Sequence, residues 1–316
     1  MKAMVQDRYG SPDVLELRDI ERPAPKPNEV LLRVHAAGVD QGTWHLMSGL
    51  PYAGRLAFGL RRPRMPVPGM DVAGVVEAVG TKVTEFRPGD EVFGVGRGTF
   101  AEYAAAKSKT LVHKPANVTF EQAAAVSVSG CTALAALRGV EAGQRVMVIG
   151  AGGGVGSYAV QLAVAFGAEV TGVCGPAQVD LVRSLGATDV IDYRSTELTG
   201  QYDMVLDIAG GRPIPTLRRL VTPRGTLVLV GSEEGGNLTG GMHRPLGARL
   251  RSLFTQQRVR APISIVQKAD LARLSELLTE GKITPPVDRT FALGDVPEAI
   301  TSLRKGRVRG KIVIIP

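Results

Sequence analysis

The sequence predicts an α/β protein in which an irregular, mostly β body accompanies a doubly wound parallel-sheet domain. Three observations predict it. Short segments of alternating polarity fill the first third of the chain, fully apolar strand-length runs alternate with amphipathic helices from about residue 120, and a glycine cluster follows the first of those runs.

In the first third, Lys2 to Gln6, Val14 to Arg18, Val30 to Ala37, Ala73 to Val79 and Glu91 to Gly94 alternate apolar with polar residues, as strands with one face in water do. Pro23, Pro25 and Pro27 punctuate one connection, and Pro88-Gly89-Asp90 makes a turn before the next strand. The apolar runs that follow are Val146 to Ile149, Val170 to Val173, Asp189 to Ile191, Met204 to Ala209 and Thr226 to Val230. Strands of this kind need helices on both faces of their sheet. Beyond them, Lys268 to Glu280 reads as a helix ended by Gly281 and Phe291 to Leu293 as a strand. Val296 to Lys305 reads as a helix with Pro297 in its first turn, and Lys311 to Ile315 as a last strand. The expected division is residues 1–120 with 265–316 in one domain and 121–264 in the other.

A chain of 316 residues with 44% hydrophobic content can bury a large core, so disorder is not expected. No run of about 18 apolar residues is present, and no cationic segment precedes an apolar one at the start, so a cytoplasmic location is the expectation. Cys131 and Cys174 are the two cysteines, far apart and without metal-binding spacing, which fits a reducing compartment. Net charge is +8, with Arg55, Arg61, Arg62 and Arg64 in the acid-free stretch 41–70 and six Arg or Lys in the acid-free stretch 235–269. Such stretches attract phosphate, nucleic acid or anionic lipid when they are not simply solvated faces. Leu246, Leu250, Leu253 and Phe254 set among arginines give 246–260 an amphipathic helical reading, suited to a membrane surface as well as to an ordinary lid or dimer-packing segment.

The strongest chemical signal runs from Arg145 to Ser157, where an apolar strand meets Gly150-Ala151-Gly152-Gly153-Gly154-Val155-Gly156 and then a helix from Tyr158 to Phe166. Glycine there lets backbone N–H groups approach a pyrophosphate, whose charge the helix N-terminus stabilises. Ala151 stands where the usual fingerprint has its first glycine, while Gly153 and Gly156 match the second and third. The alternative is a tight helix-to-sheet packing turn. After the second strand the chain reads Val173-Cys174-Gly175-Pro176-Ala177, with no acid before Asp180 to meet a ribose 2′-hydroxyl. A 2′-phosphate is therefore not repelled, Tyr193 and Arg194 are its candidate partners, and NADPH is the expected cofactor.

Ala36-Ala37-Gly38-Val39-Asp40, the segment Pro68 to Val76, the turn Arg87 to Val92, Gly130-Cys131-Thr132-Ala133 and the glycine loop together resemble medium-chain dehydrogenase/reductases along nearly the whole chain. The resemblance implies a Rossmann cofactor domain, a GroES-like catalytic domain and a homodimer. Zinc-dependent members carry a cysteine near the first motif and Gly-His-Glu in the second. This chain has Val39-Asp40 and Gly69-Met70-Asp71 there, and no cysteine for a four-cysteine lobe at about 90–115, so no metal is expected. The chain is accordingly similar to the zinc-free quinone oxidoreductase branch.

Carried over by residue, the resemblance places Thr132 near the nicotinamide or pyrophosphate, Gly153, Gly154 and Val155 under the pyrophosphate, and Gly175 and Tyr193 at the adenosine ribose. It places Ile208 and Ala209 at the nicotinamide ribose and Val230 and Gly231 at the carboxamide. The C-terminal Gly310-Lys311 also matches, although Arg307 stands where the family has a histidine. Asp40, Trp44, His45 and Tyr52 lie in the substrate-lining stretch of similar proteins, where a ring stacks on a flat quinone, imidazole donates a proton or a phenol bonds a carbonyl oxygen. Each also has a structural reading as core, surface or packing residue. Cys131 and Cys174 read as buried small hydrophobes.

Quinone is the acceptor this reading favours, with the activated C=C bond of a 2-enone, 2-alkenal or enoyl thioester as the alternative. A non-enzymatic reading makes the chain a basic nucleic-acid-binding protein with a vestigial nucleotide fold. The intact glycine loop and the lack of a basic platform interleaved with aromatics argue against it.

Overall fold

The computed structural model describes residues 1–231, 236–239, 256–262 and 265–316. Its chain divides into two compact units, Met1–Cys131 with Ile265–Pro316, and Thr132–Ser264. Residues 121–131 thus stay with the first unit, although they begin the helical part of the sequence. The reason is local. Helix α3 (Phe120–Ala124) packs on strands of the first unit, and the residues after it bond to buried side chains there. Thr119 Oγ1 accepts from Gln122 N at 3.2 Å while Gln122 Oε1 accepts from Thr119 N at 3.0 Å, a reciprocal cap that fixes where α3 starts.

The first unit carries β1 (Lys2–Val5), β2 (Glu16–Asp19), β3 (Glu29–Val39), β4 (Asp71–Val79), β5 (Glu91–Val95), β6 (Tyr103–Lys107) and β7 (Leu111–His113). The last two lie outside the strands read from sequence, because Tyr-Ala-Ala-Ala-Lys and Leu-Val-His lack a clear alternation. Strand β14 (Val287–Ala292) and β15 (Lys311–Ile315) complete a seven-stranded sheet of order β14-β15-β3-β4-β5-β7, with β6 pairing β3 off that path. Its core gathers Leu32, Val34, Val72, Phe100, Ile312 and Ile314, all buried. The helix Lys268–Thr279 buries Leu271, Leu274, Leu277 and Leu278, one stripe at helical spacing, and Gly281 at φ +67° ends it as expected.

Among the described residues the second unit holds six parallel strands: β8 (Arg145–Ile149), β9 (Glu169–Cys174), β10 (Asp189–Asp192), β11 (Tyr202–Asp207), β12 (Val221–Leu229) and β13 (Arg258–Arg260). Five were expected. The sixth, Arg-Val-Arg, buries only Val259 and so carries no apolar run. It also corrects the helical reading of 246–260 at its described end, because pairing with β12 holds Arg258–Arg260 extended; Leu246, Leu250, Leu253 and Phe254 lie outside the described residues. Arg260 donates to the carbonyls of Arg138 and Ala135, the latter at 3.2 Å, and closes the end of α4 (Ser127–Ala136) instead of standing free as a surface charge. No described helix is long and apolar enough to cross a membrane.

Candidate functional site

In chain order within the second unit the strands lie 3-2-1-4-5-6, so the order reverses between β8 and β11. In sheets of this type a crevice opens beyond the carboxyl ends of the strands at that reversal. Helix α5 (Gly154–Ala165) starts there, directly after β8. Gly150 turns the chain with φ +89°. A Cβ on Gly156 would lie 2.0 Å from Gly150 O, so only glycine lets the first turn of α5 sit on the strand end. Gly153 is different: its φ is −88° and its Cβ would meet nothing nearer than Gly150 O at 3.5 Å. Neither backbone geometry nor packing demands glycine at 153, and the space left over it fits a ligand that must approach the main chain. The first helical bond is Ser157 N to Gly153 O at 2.9 Å, so the amides of Gly154, Val155 and Gly156 precede it and have no acceptor within the helix. These features fit a dinucleotide pyrophosphate.

At the next strand end, Gly175 caps a short turn, and its Cβ would lie 3.7 Å from the Tyr193 ring. Tyr193 N donates to Cys174 O at 3.2 Å, which pins the end of β10 to that of β9, and Arg194 lies with its guanidinium 6.0 Å from the Tyr193 ring centroid. The structure therefore brings Gly175, Tyr193 and Arg194 together. Gln178 joins them without having been legible as a site residue. Its Nε2 donates to Gly152 O at 3.4 Å, and its side chain fills the space that a Cβ on Gly152 would enter.

Ile208, Val230 and Gly231 form a second group across the ends of β11 and β12. Ile208 N donates to Ile149 O at 3.0 Å, and the amides of Val230 and Gly231 donate to Asp207 O at 2.9 and 3.1 Å. A Cβ on Gly231 would lie 1.9 Å from Ile208 O, so glycine is obligatory there. Asp207 is buried and accepts from Gly210 N at 3.0 Å, fixing the loop that follows Ile208 and Ala209. Thr132 is half-buried on α4, at the start of the second unit.

In the first unit, Asp40 is the N-cap of α1 (Gln41–Ser48): its Oδ1 accepts from Thr43 N at 2.8 Å and from Thr43 Oγ1 at 3.1 Å. Its other oxygen is buried without a hydrogen-bond partner. Trp44 packs against the core, and the Arg304 guanidinium lies 4.7 Å from its ring centroid. His45 is exposed, with Nδ1 2.7 Å from Leu50 O, so the Nδ1–H tautomer donates that bond and leaves Nε2 outward of it. Tyr52 is exposed, with Arg55 over its ring at 4.8 Å. Each of these four is thus engaged in its own local contact.

The pair that sequence reading missed is Asp71 with Lys311, both fully buried, 3.3 Å apart between Oδ2 and Nζ. Lys311 also donates to Ser129 Oγ at 3.2 Å, and Asp71 Oδ1 accepts from Val128 N at 2.8 Å. Burial pushes the Asp71 carboxyl up to about 7; the Lys311 charge opposes that rise and the nearby Asp40 carboxylate adds to it. The available signal is a charge heading each of two apolar runs, Asp-Val-Ala-Gly-Val-Val and Lys-Ile-Val-Ile-Ile. Cys131 and Cys174 are buried as expected, and burial raises both thiols, that of Cys174 to about 11. Among the described residues no group of three or more His, Cys, Asp or Glu is placed to hold a metal ion.

Two family models match, an alcohol dehydrogenase GroES-like domain over residues 26–116 and a zinc-binding dehydrogenase over residues 185–314. The chain is 34% identical to a quinone oxidoreductase of Pseudomonas aeruginosa, covering 98% of this chain and 97% of that one. It is 33% identical to the mitochondrial NAD(P)H oxidoreductase RTN4IP1 of Homo sapiens, over 99% of this chain and 89% of the relative. Escherichia coli quinone oxidoreductase, solved in complex with NADPH, superposes with a TM-score of 0.85 at 25% identity, covering all of both chains. The chain therefore belongs to the medium-chain dehydrogenase/reductase superfamily, in its quinone oxidoreductase branch. It is an oxidoreductase that uses a nicotinamide cofactor.

Proposed function

We propose that this enzyme is a zinc-independent reductase that prefers NADPH and reduces quinones. The observation that carries the cofactor choice is the end of β9, where Gly175 replaces a carboxylate and lies beside Tyr193 and Arg194. A carboxylate there would bond a ribose 2′-hydroxyl and repel a phosphate. The amides of Gly154 and Val155, with the open face of Gly153, would hold the pyrophosphate, and Thr132 the region next to it. The loops at Ile208 and at Val230-Gly231 would hold the nicotinamide end. When bound, the cofactor supplies the hydride.

The donor set does not suit a zinc ion in the family's usual positions. Met70 stands where the family has a histidine, Asp40 where it has a cysteine is already engaged in capping α1 through Thr43, and both cysteines are buried with their thiols kept protonated. A conjugated acceptor tolerates this, because reduction of a quinone or enone yields a delocalised anion that solvent or a nearby donor protonates. Orientation then supplies most of the catalysis. The aromatic faces of Trp44 and Tyr52 are suited to a flat acceptor, and His45 keeps a ring nitrogen available for a proton.

The test is cofactor oxidation by chelator-treated protein with quinones, enones and simple aldehydes in parallel. Turnover with quinones and none with aldehydes is expected; loss of turnover on chelation overturns zinc independence, and preference for enones moves the substrate class. Arg194→Ala is expected to raise the KM for NADPH on the order of tenfold, leaving that for NADH unchanged, as loss of one charge-assisted phosphate contact requires. Equal effects on both cofactors would remove Arg194 from the 2′-phosphate site.

A further inference from the structure

We propose that the segment from Tyr52 to Arg64 is a docking surface for a bilayer containing anionic phospholipid. It belongs wholly to the first unit, and the inference does not depend on which acceptor the enzyme reduces. Leu56 is 73% exposed and Leu60 66%, and Tyr52 beside them is 48% exposed. Leu56 lies on the one-turn helix α2 (Arg55–Phe58) and Leu60 just beyond it.

These side chains are held outward by an ordered loop. Tyr9 Oη donates to Gly59 O at 2.6 Å, and Gly59 N to Arg55 O at 2.8 Å. Arg64 donates to Phe58 O at 2.8 Å through its backbone and to Ala57 O at 3.2 Å through its side chain. At the base, Arg55 lies over the rings of both Tyr9 and Tyr52, at 4.5 and 4.8 Å, and its Nε donates to Gly49 O at 3.0 Å. Two leucines this exposed on one anchored loop, with Tyr52 close in sequence, are the kind of apolar patch that an interaction surface covers.

Charge identifies the occupant. Arg55, Arg61, Arg62 and Arg64 fall within ten residues, no acid occurs between 41 and 70, and none of the four makes an ion pair among the described residues. Leucines beside unpaired guanidinium groups, with a tyrosine at the margin, match a surface whose acyl region is apolar and whose headgroups are phosphates. The leucines would enter the headgroup–acyl boundary while Arg61 and Arg62 take phosphates.

The experiment is co-sedimentation of the full chain with phosphatidylcholine vesicles, and with vesicles about one-third phosphatidylglycerol, at low and high salt. The wild type is expected to pellet with the anionic vesicles only and to be released by salt. Leu56→Ser/Leu60→Ser and Arg61→Glu/Arg62→Glu are each expected to lower the partition coefficient about tenfold or more. NADPH binding by both variants, followed by nicotinamide fluorescence, serves as the control for folding. Three results would overturn the proposal: no wild-type binding to anionic vesicles, equal binding to neutral ones, or variants that bind as the wild type does. Cross-linking of the wild type into dimers that the leucine variant cannot form, without vesicle binding, would assign the face to a second copy instead.

Discussion

Lys311→Met is expected to destabilise the protein by about 3–5 kcal/mol at pH 8, because Asp71 is left buried with no countercharge and must either stay an unpaired carboxylate or take up a proton against that pH. The double variant Asp71→Asn/Lys311→Met should recover to within about 1 kcal/mol of wild type, since Asn keeps an acceptor for Val128 N while the charge is gone. The sign of the pH dependence follows from the raised carboxyl. Asp71 titrates near 7 in the folded chain against 3.8 for an unperturbed aspartate, so the folded state binds the proton more tightly. The resulting stabilisation is complete below the unfolded value, declines as pH rises between about 4 and 7, and is lost above the folded value. Removing Lys311 takes away the charge that holds Asp71 down, so the deficit of Lys311→Met should shrink as pH falls from 8 to about 5. Denaturant unfolding of the single and double variants at both pH values measures it. A single variant as stable as wild type at pH 8 would show that the pair holds nothing together.

The second large effect separates folding from cofactor binding. Gly153→Ala is expected to leave stability within about 1 kcal/mol of wild type, because φ is −88° and the new Cβ meets only Gly150 O at 3.5 Å. NADPH affinity should nonetheless fall by about 10- to 100-fold, as a methyl group occupies the face to which the pyrophosphate comes close. Gly156→Ala should behave in the opposite way. Its Cβ would lie 2.0 Å from a backbone oxygen, so the helix start must move and unfolding and binding both suffer. Fluorescence titration with NADPH beside thermal unfolding distinguishes the two. Undiminished affinity in Gly153→Ala would place the pyrophosphate elsewhere.

What was legible in the sequence follows from how local its cause is. The apolar runs that became β8, β9, β11 and β12 announce strands covered on both faces, and Lys311–Ile315 was bounded correctly by its own composition. Strand β13 was not legible, since Arg-Val-Arg is extended only because β12 offers it an edge. The glycine loop was legible as a whole, whereas the contrast between Gly153 and Gly156 needed coordinates. The Asp71–Lys311 pair, separated by 240 residues, is a product of the sheet that places β4 and β15 on either side of β3. Asp40 illustrates the reverse case. It stands out in the sequence as a candidate substrate residue, and only the structure adds its local task of capping α1 through Thr43.

The most direct measurement of the central claim is the ratio of kcat/KM for NADPH over NADH, taken with one simple quinone and chelator-treated protein. The absence of a carboxylate at Gly175 and the presence of Tyr193 and Arg194 beside it predict a ratio of at least about ten. A ratio at or below unity, or no quinone-dependent oxidation of either cofactor, would contradict the account.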